Sequence, residues 1–308
     1  MCGIVGFLDK SGNRQAAVGQ TLLDMLSALD RRGPDSSGVA VYADRGADTC
    51  VLRIKLGEHG PFETLADSVV ERVKRLVAVS AVDVQGPSLR LVVTPPENPE
   101  SLERTIESVD GGVEVVSLGN RLELVKQVGS PANLEATYAV SSYVGTHGIG
   151  HTRMSTESRV DLSHSQPFWA HGRADVAVVH NGHITNYHKM RRIYEQQGHR
   201  FYTGNDSEII GLYLADRMAQ GASFADALQT SLTDFDGAFS YLAATADSLG
   251  YVKDPFAFKP LVVTDTPAYV AIATEEQALR SALGDDFPVW EPGVNTVMTW
   301  TVENGVGS

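Results

Sequence analysis

Short apolar segments typical of β-strands recur along this chain of 308 residues, and hairpin-like connections join many of them. Examples are residues 2–8, 176–179, 237–244 and 261–263. A strict alternation of strand and helix would indicate a parallel doubly wound sheet, and this chain does not show it. The pattern therefore predicts packed antiparallel sheets with a few long helices on their outer faces.

Local patterns predict individual elements of this fold. Apolar residues at helical spacing predict a helix within residues 15–29. The segments 39–42 and 51–54 have the composition of strands, and we expect them to pair with each other. The apolar run 176–179 stops at His180-Asn181-Gly182, and this triplet predicts a turn after a strand.

Charge and composition exclude several classes of protein. Lys and Arg number 25 and Asp and Glu number 38, so the formal net charge is −13. Such a surface repels phosphate backbones, and we expect no nucleic-acid binding. No apolar run reaches the roughly 18 residues that span a bilayer, and no secretory signal is evident at the N-terminus. Because only Cys2 and Cys50 are present, no disulfide framework is expected, and the sequence predicts a cytoplasmic protein without membrane contact.

The pattern of predicted secondary structure changes between residues 58 and 144. Predicted helices and strands follow each other there, at 65–76, 89–93, 101–109 and 113–116. We therefore predict a small α+β insertion over 58–144 within a single domain that spans 1–308. The polar faces of the insertion favour plain solvated surface, and docking of a partner is the alternative.

Cys2 is the strongest candidate for a nucleophile. Methionine aminopeptidases remove Met1 when the next side chain is small, and this removal would leave Cys2 with a free α-amine beside its own thiol. An α-amine has a reference pKa of about 8, so it can act as a general base close to neutral pH. The thiolate is the reactive form of the side chain. The alternative is that Cys2 is a small buried residue at the start of a strand.

Five motifs accompany Cys2, in an order that resembles a known family. They are Cys2-Gly3-Ile4-Val5-Gly6, Arg32-Gly33-Pro34-Asp35-Ser36-Ser37-Gly38, Gly150-His151-Thr152-Arg153, His180-Asn181-Gly182 and Asp206-Ser207-Glu208. Together they resemble the class II glutamine amidotransferases, which are N-terminal-nucleophile hydrolases. The resemblance covers about residues 1–57 and 145–275. It implies an α+β fold, a four-layer αββα sandwich with the insertion added to it, and L-glutamine as substrate.

The resemblance also implies a role for each matching residue. Cys2 would attack the side-chain amide carbon of glutamine. The Asn181 side-chain amide and the Gly182 N–H would stabilise the oxyanion of the tetrahedral intermediate. Arg153 would pair with the α-carboxylate of glutamine, and Asp206 with its α-ammonium group. For Asp206 the alternative role, N-capping of the helix that follows, can coexist with binding.

Further assignments concern Arg32, Thr152 and a polar loop. The resemblance places Arg32 and the loop 33–38 near the nucleophile, where they would organise the site, and simple turn geometry is the alternative. Thr152 begins a stretch, through Ser165, that is rich in Ser, Thr, Glu and Asp and would close over bound glutamine. Without the other motifs, Asn181-Gly182 would be interpreted as a plain hairpin turn.

The histidines do not form a recognisable metal motif. Seven of them lie between residues 147 and 188, but neither an HExxH nor a CxxC pattern accompanies them. Gly148 and Gly150 also argue against a helix that would carry His147 and His151 on one face. We therefore expect no metal site, and we interpret Cys50 as a structural thiol.

The use of the ammonia is also implied by resemblance. The family-like segments end near residue 275, so we expect the acceptor site to lie on another chain. Gly119-Asn120-Arg121 and Gly129-Ser130-Pro131 resemble stand-alone amidotransferase subunits of glutamate-synthase type, in particular the small glutaminase subunits of N-methylglutamate synthases. This resemblance implies a hetero-oligomer in which this chain holds no cofactor. The ammonia-accepting synthase subunit would hold a flavin and, as a further option, an iron–sulfur cluster.

Two other functions remain as alternatives. One is a self-sufficient amidase that cleaves γ-glutamyl amides without an ammonia acceptor. The other is a non-catalytic regulatory module that has retained the fold, which the joint presence of the five motifs disfavours.

Overall fold

The computed structural model describes residues 2–155 and 159–302, and these residues form three β-sheets with α-helices around them. The strands are β1 (Gly3–Asp9), β2 (Ser36–Tyr42), β3 (Cys50–Lys55), β4 (Val79–Gln85), β5 (Ser88–Val93), β6 (Glu114–Gly119), β7 (Leu122–Val128), β8 (His147–Arg153), β9 (Phe168–Trp169), β10 (Ala177–Ile184), β11 (Gly237–Ala244), β12 (Ser248–Lys253), β13 (Val262–Asp265), β14 (Tyr269–Ala273) and β15 (Thr296–Thr301). The α-helices are α1 (Val18–Ala28), α2 (Phe62–Val73), α3 (Pro99–Glu107), α4 (Pro131–Tyr138), α5 (Tyr187–Gln196), α6 (Ser207–Ala219), α7 (Phe224–Asp234) and α8 (Glu276–Leu283).

Two of the sheets pack face to face. The first has the strand order β13-β14-β1-β8-β2-β7, and the second has the order β15-β12-β11-β10-β9. Apolar side chains such as Ile4, Ile149, Val179 and Leu242 fill the space between them. Every pairing between two of these strands is antiparallel, as predicted.

Helices cover the outer faces of both sheets. The helices α1, α4 and α8 pack on the first sheet, where Leu22, Leu134 and Leu279 join its outward side chains in one core. The helices α5, α6 and α7 pack on the second sheet through a separate core. The result is the four-layer αββα arrangement that we expected from the sequence. None of the helices in the described ranges is long and apolar enough to cross a membrane.

A third sheet, of order β4-β5-β3-β6, lies beside the sandwich and packs against α2 and α3. The third sheet does not coincide with the predicted insertion 58–144. It includes β3, which precedes residue 58. The strand β7, within 58–144, belongs instead to the first sheet, where it pairs with β2 from Ser36↔Val128 to Tyr42↔Leu122. The predicted pairing of segments 39–42 and 51–54 is wrong. The strand β3 lies instead between β5 and β6, and all six of its residues are buried, which suits a central strand.

The strand β10 continues through the triplet for which we predicted a turn, so that prediction is wrong. Asn181 lies opposite Ser240 of β11, Gly182 lies opposite Phe239, and pairing continues to Ile184. Gly182 has φ +134°, and a Cβ atom there would lie 2.2 Å from the carbonyl oxygen of Ala238. Glycine is therefore required for the close approach of two strands and not for a reversal of the chain.

Candidate active site

The start of β1 meets β8 and β10 at one end of the sandwich. Cys2 directly precedes β1, where Gly3 pairs with Thr152 of β8. Asn181 belongs to β10 in the opposite sheet, and its Nδ2 donates a hydrogen bond of 3.1 Å to the main-chain oxygen of Cys2. The predicted nucleophile and one predicted oxyanion donor are thus in contact although they lie 179 positions apart in the chain.

The thiol of Cys2 is held by main-chain groups of Met154, the residue that follows β8. The Cys2 Sγ accepts a hydrogen bond from the Met154 N–H at 3.4 Å and donates to the Met154 oxygen at 3.6 Å. Cys2 is only partly buried, whereas Cys50 is fully buried and burial raises the pKa of its thiol to about 12. Of these two thiols, Cys2 has the exposure that a reactive cysteine needs. Met1 lies outside the described residues, so its removal stays a prediction.

Alternate N–H groups of β10 point away from β11. The His180 N–H donates to Gln166 Oε1 at 2.7 Å, and the Ile184 N–H donates to Asp206 Oδ2 at 2.8 Å. In an antiparallel ladder the N–H and C=O of one residue point to the same side, and this side alternates along the strand. The N–H of Gly182, midway between these residues, therefore points into the gap between the Gln166 and Asp206 side chains.

The residue opposite Gly182 supports this direction. The Phe239 N–H donates to Asp254 Oδ2 at 3.0 Å, and the Phe239 oxygen accepts from the Asp254 N–H at 3.2 Å. Both main-chain groups of Phe239 therefore face away from β10. Because opposite residues of an antiparallel pair exchange either both hydrogen bonds or none, the Gly182 N–H does not donate to Phe239. That orientation is the one an oxyanion donor requires.

Asp206 occupies the N-cap position of α6, as predicted, but its side chain makes no capping hydrogen bond. The prediction that it caps the helix through its side chain is wrong, because its own φ and ψ of −64° and −25° are helical and a capping residue needs an extended backbone. Its Oδ2 instead binds the Ile184 N–H, and its Oδ1 lies 3.6 Å from His180 Nδ1. Burial lowers the pKa of His180, and the charge of Asp206 opposes this effect.

Arg153 ends β8 within electrostatic reach of the thiol. Its guanidinium donates from Nη1 to the Arg159 oxygen at 3.0 Å, and only 4% of the residue is exposed. Burial lowers the pKa of Arg153, and the charge of Cys2 is the largest effect that opposes this. A buried guanidinium beside the predicted nucleophile is suited to pairing with a carboxylate.

Thr152 points to the other face of β8. Its Oγ1 lies 2.9 Å from the position that a Cβ atom of Gly3 would occupy, on the side where Leu29 packs. This hydroxyl is buried and has no hydrogen-bond partner. The structure thus does not bring the Thr152 side chain into the space between the sheets, where strand alternation places Arg153.

Arg32 contacts the main chain of Cys2, the predicted nucleophile. Its Nε donates to the Cys2 oxygen at 3.5 Å, and its guanidinium forms an ion pair with Glu275. The Cys2 carbonyl therefore accepts hydrogen bonds from Arg32 and from Asn181. In this position Arg32 can orient the backbone of the predicted nucleophile.

Sequence analysis assigned no role to Gln166, which contacts the strand that carries Asn181. Its Nε2 donates to the His180 oxygen at 3.1 Å and to Ser207 Oγ at 3.2 Å, and its Oε1 accepts from the His180 N–H. The available signal was a polar side chain two residues before the apolar strand β9, because a glutamine buried there must find partners. Glu275, the ion-pair partner of Arg32, had no such signal.

A second cluster of polar side chains lies outside the site. Carboxylate oxygens of Glu103 and Glu107 and a ring nitrogen of His171 lie within 4.8 Å of one another, the only such group in residues 2–155 and 159–302. The Tyr202 oxygen lies 2.9 Å from Glu103 Oε1 and 2.7 Å from Glu107 Oε2, so its single O–H can donate to either carboxylate, and His171 Nδ1 lies 2.6 Å from Glu103. Burial would lower the pKa of His171, but Glu103 raises it above its usual value.

These contacts make the cluster a satisfied ion-pair network that joins α3 to the sandwich. It borders a cavity of about 410 Å³, and none of the residues that line this cavity is a predicted site residue. Each carboxylate has a basic partner, because Arg200 Nη1 lies 3.2 Å from Glu107 Oε2 and His171 lies beside Glu103.

Comparison with known proteins identifies the family. Residues 151–281 match the family described as a glutamine amidotransferase domain. The chain is 39% identical over 293 residues to the "Putative glutamine amidotransferase" of Methanothermobacter thermautotrophicus, a match that covers 92% of this chain and 94% of that protein. It is 34% identical over 301 residues to the "Glutamine amidotransferase-like protein GlxB" of Rhizobium meliloti, covering 97% and 98%. The chain belongs to the glutamine amidotransferase family.

A solved structure agrees with the fold. Glutamine phosphoribosylpyrophosphate amidotransferase from B. subtilis superposes with a TM-score of 0.63 at 16% sequence identity. The match covers 100% of this chain and 49% of that one, so this chain spans about half the length of the solved structure. At this identity the likeness concerns the fold alone, which is the sandwich of N-terminal-nucleophile hydrolases.

Proposed function

We propose that this chain hydrolyses L-glutamine to glutamate with Cys2 as the nucleophile and delivers the ammonia to a separate synthase subunit. The observation that carries this proposal is the 3.1 Å hydrogen bond from Asn181 Nδ2 to the Cys2 oxygen. It joins residues of two different sheets that the proposed chemistry requires side by side.

The proposed reaction uses groups whose positions are consistent with it. The Cys2 thiolate attacks the side-chain carbonyl carbon of glutamine, and the carbonyl oxygen becomes an oxyanion. An amide nitrogen carries two N–H groups, so Asn181 can bind the Cys2 oxygen with one and the oxyanion with the other. The Gly182 N–H is the second donor.

Two further steps complete the proposed reaction, namely loss of ammonia from the tetrahedral intermediate and hydrolysis of the resulting thioester. The C–N bond breaks, and the nitrogen leaves as ammonia with a proton from the α-ammonium group of processed Cys2. Water then attacks the γ-glutamyl thioester, and the α-amine accepts a proton from this water. Glutamate is released and the thiol is restored.

Recognition of the free amino acid rests on two opposite charges. Arg153 is proposed to pair with the α-carboxylate and Asp206 with the α-ammonium group of glutamine. Asp206 uses Oδ2 for the Ile184 N–H, and its Oδ1 makes only a longer contact, of 3.6 Å, with His180. A glutamine within a peptide would lack both charges, so this pair would select the free amino acid.

The proposed acceptor is a synthase subunit of glutamate-synthase or N-methylglutamate-synthase type that holds a flavin and, as a further option, an iron–sulfur cluster. Ammonia in neutral water is mostly protonated, and a protected path to a second site avoids this loss of reactivity. The two motifs that support this assignment, residues 119–121 and 129–131, flank β7. The Gly129 N–H donates to the Asp35 oxygen at 2.8 Å, and Asp35 Oδ2 accepts from the Ser155 N–H at 2.7 Å, which links this region to the end of β8.

The nucleophile is tested with Cys2→Ala and, as a matched control, Cys50→Ala. The wild-type chain should release glutamate from glutamine and form one covalent adduct with a diazo-ketone analogue of glutamine. Mass spectrometry should place this adduct on Cys2 and find Met1 removed. Cys2→Ala should lose both turnover and adduct, and Cys50→Ala should retain both. Turnover by Cys2→Ala, or full activity with Met1 still attached, would refute the assignment.

The acceptor is tested by purifying the native protein with the chains that accompany it. A flavin or iron–sulfur absorption spectrum in a co-purifying chain, together with glutamine-dependent transfer of nitrogen to a 2-oxo acid, is the expected result. High activity on γ-glutamyl amides that no partner changes would instead establish the self-sufficient amidase.

A further inference from the structure

His151 and Asn181 face the same space between the two sheets. On β8, Ile149 contributes to the core between the sheets, and the period of two along a strand places His151 on that side as well. On β10, Val179 contributes to the same core, and the same period places Asn181 there. Both side chains thus approach the end of the sandwich where Asn181 contacts Cys2.

Several polar atoms in this space lack partners. His151 is fully buried, and neither of its ring nitrogens has a hydrogen-bond partner. The Asn181 Oδ1 is also buried and has none. Buried polar side chains are nearly always hydrogen-bonded, so unpaired atoms concentrated beside a nucleophile indicate a function.

The His151 ring is electrically neutral near neutral pH. Burial lowers its pKa to about 3, and the charges of Arg153 and His180 act in the same direction. The Asn181 side chain and the His180 carbonyl oppose this effect as weak hydrogen-bond acceptors outside the geometry of a full hydrogen bond, so both lie close to the ring. A neutral imidazole offers one N–H donor and one acceptor.

We propose that His151 is a positioning residue that donates a ring N–H to Asn181 Oδ1 and thereby fixes the orientation of the oxyanion donor. The Oδ1 and Nδ2 atoms of an asparagine side chain lie on opposite sides of the line that continues its Cβ–Cγ bond. Holding Oδ1 at His151 therefore directs Nδ2 toward Cys2 and the developing oxyanion. If the amide turned over, its oxygen would face that negative charge and repel it.

This inference deepens the proposed function and rests on it. The oxyanion forms only after attack by the thiolate, so His151 acts mainly on the transition state. Its loss should lower kcat and leave the binding of glutamine nearly unchanged.

The first test compares His151→Phe with His147→Phe. His147 is an equally buried histidine on the same face of β8, but its ring stacks on Tyr42 and its Nε2 binds the Thr245 oxygen. We expect His151→Phe to lower kcat for glutamate release by about 10- to 100-fold with KM within about threefold, since loss of an oxyanion donor itself costs about 100-fold or more. The His147→Phe variant should keep kcat within about threefold of wild type. Equal kcat values for the two variants would overturn the inference.

Two conservative variants test the donor directly. The amide nitrogen of His151→Asn lies near the position of Nδ1, and that of His151→Gln lies near Nε2. One of them should restore a large part of kcat and so identify the nitrogen that donates. Failure of both, with the variants folded, would overturn the inference. If His151→Phe does not fold, the kcat values of His151→Asn and His151→Gln are compared with each other. Unequal kcat values at equal KM support the inference, and equal kcat values overturn it.

A double-mutant cycle with Asn181→Ala separates positioning from general structural damage. If His151 acts through Asn181, then His151→Phe should cost little further kcat in the Asn181→Ala background. An undiminished loss in that background would overturn the inference. The pH profile of kcat should keep its shape near neutral pH, because a ring that is neutral there contributes no ionisation.

Failure of the proposed function remains distinguishable from failure of this inference. A wild-type chain that neither turns over glutamine nor forms the diazo-ketone adduct contradicts the proposed function. A wild-type chain that does both, beside a His151→Phe variant with the same kcat, contradicts only the role of His151.

Discussion

The side chain of Gln166 pairs with the main chain of His180 as a neighbouring strand would. Its Oε1 accepts from the His180 N–H at 2.7 Å, and its Nε2 donates to the His180 oxygen at 3.1 Å. The strand β9 pairs with β10 only at residues 177 and 178, so Gln166 extends the ladder by two residues, to His180, toward the site. It thereby holds the main chain of His180, the residue directly before Asn181 and Gly182.

We predict that Gln166→Leu lowers both stability and kcat. The substitution would leave the buried N–H and C=O of His180 without partners, which we expect to cost about 1–3 kcal/mol of the free energy of unfolding. The kcat for glutamate release should fall because Asn181 follows His180 directly. Urea denaturation and steady-state kinetics measure the two effects. The exposed Gln196→Leu is the control, and similar values for the two variants would contradict the role of Gln166.

Much of the fold was predictable from local patterns. Residues 237–244 were predicted as a strand, and β11 has these bounds. The placement of β3 was not predictable, because its partners β5 and β6 come later in the chain and the choice among long-range pairings leaves no local signal. The turn predicted at His180-Asn181-Gly182 failed for the same reason. An Asn-Gly pair favours a hairpin in isolation, but pairing of Gly182 with Phe239 overrides that preference.

The candidate site was predictable as a set of residues but not as a geometry. The motifs identified Cys2, Asn181 and Arg153, and the structure places Asn181 and the charge of Arg153 beside Cys2. The opposite orientation of Thr152 follows from strand alternation once β8 is known. His151 was recognised as part of a motif and rejected as a metal ligand, but it received no role, because its relation to Asn181 depends on the facing of two sheets that the sequence does not reveal.

We predict that Gly182→Ala abolishes glutamate release and destabilises the protein. Its φ of +134° disfavours any side chain, and the new Cβ atom would lie 2.2 Å from the Ala238 oxygen, so the two strands would have to separate. The control is Gly198→Ala, at φ +90° with no atom within 4 Å of the new Cβ. This control carries the conformational strain without the clash. Thermal denaturation and activity that match between the two variants would show that close strand approach is not required.

We predict that Asp206→Asn raises KM for glutamine while kcat changes little. An asparagine oxygen can still accept from the Ile184 N–H, so the strand contact is kept and only the negative charge is lost. Because a hydrogen bond to a charged group contributes about 1.5–3 kcal/mol, KM should rise by about 10- to 100-fold. The exposed Asp48→Asn serves as control. An unchanged KM in Asp206→Asn would remove Asp206 from the substrate site.

The carboxylate of Glu123 on β7 is held by three arginines. Its oxygens lie 3.0 Å from Arg45 Nη2, 2.6 Å from Arg53 Nη2 and 2.7 Å from Arg90 Nε. Burial by itself would raise the pKa of Glu123, but the hydrogen bond from Arg90 and the charges of the three arginines lower it to about 2. An unfolded Glu has a pKa of about 4.3, and the difference corresponds to about 3 kcal/mol of stability at neutral pH.

We predict that this contribution disappears in acid. Because the folded pKa lies below the unfolded one, the unfolded state binds more protons, and the stabilisation is complete above about pH 5 and lost as the pH falls toward 2. Glu123→Gln should lose about 3–5 kcal/mol at pH 7, since it leaves buried Arg53 without its countercharge. Urea denaturation at pH 7, 5 and 3 should show the gap between wild type and Glu123→Gln closing with acid, while the exposed Glu71→Gln follows wild type throughout. A gap that stays constant over this range would mean that folding does not lower the pKa of Glu123.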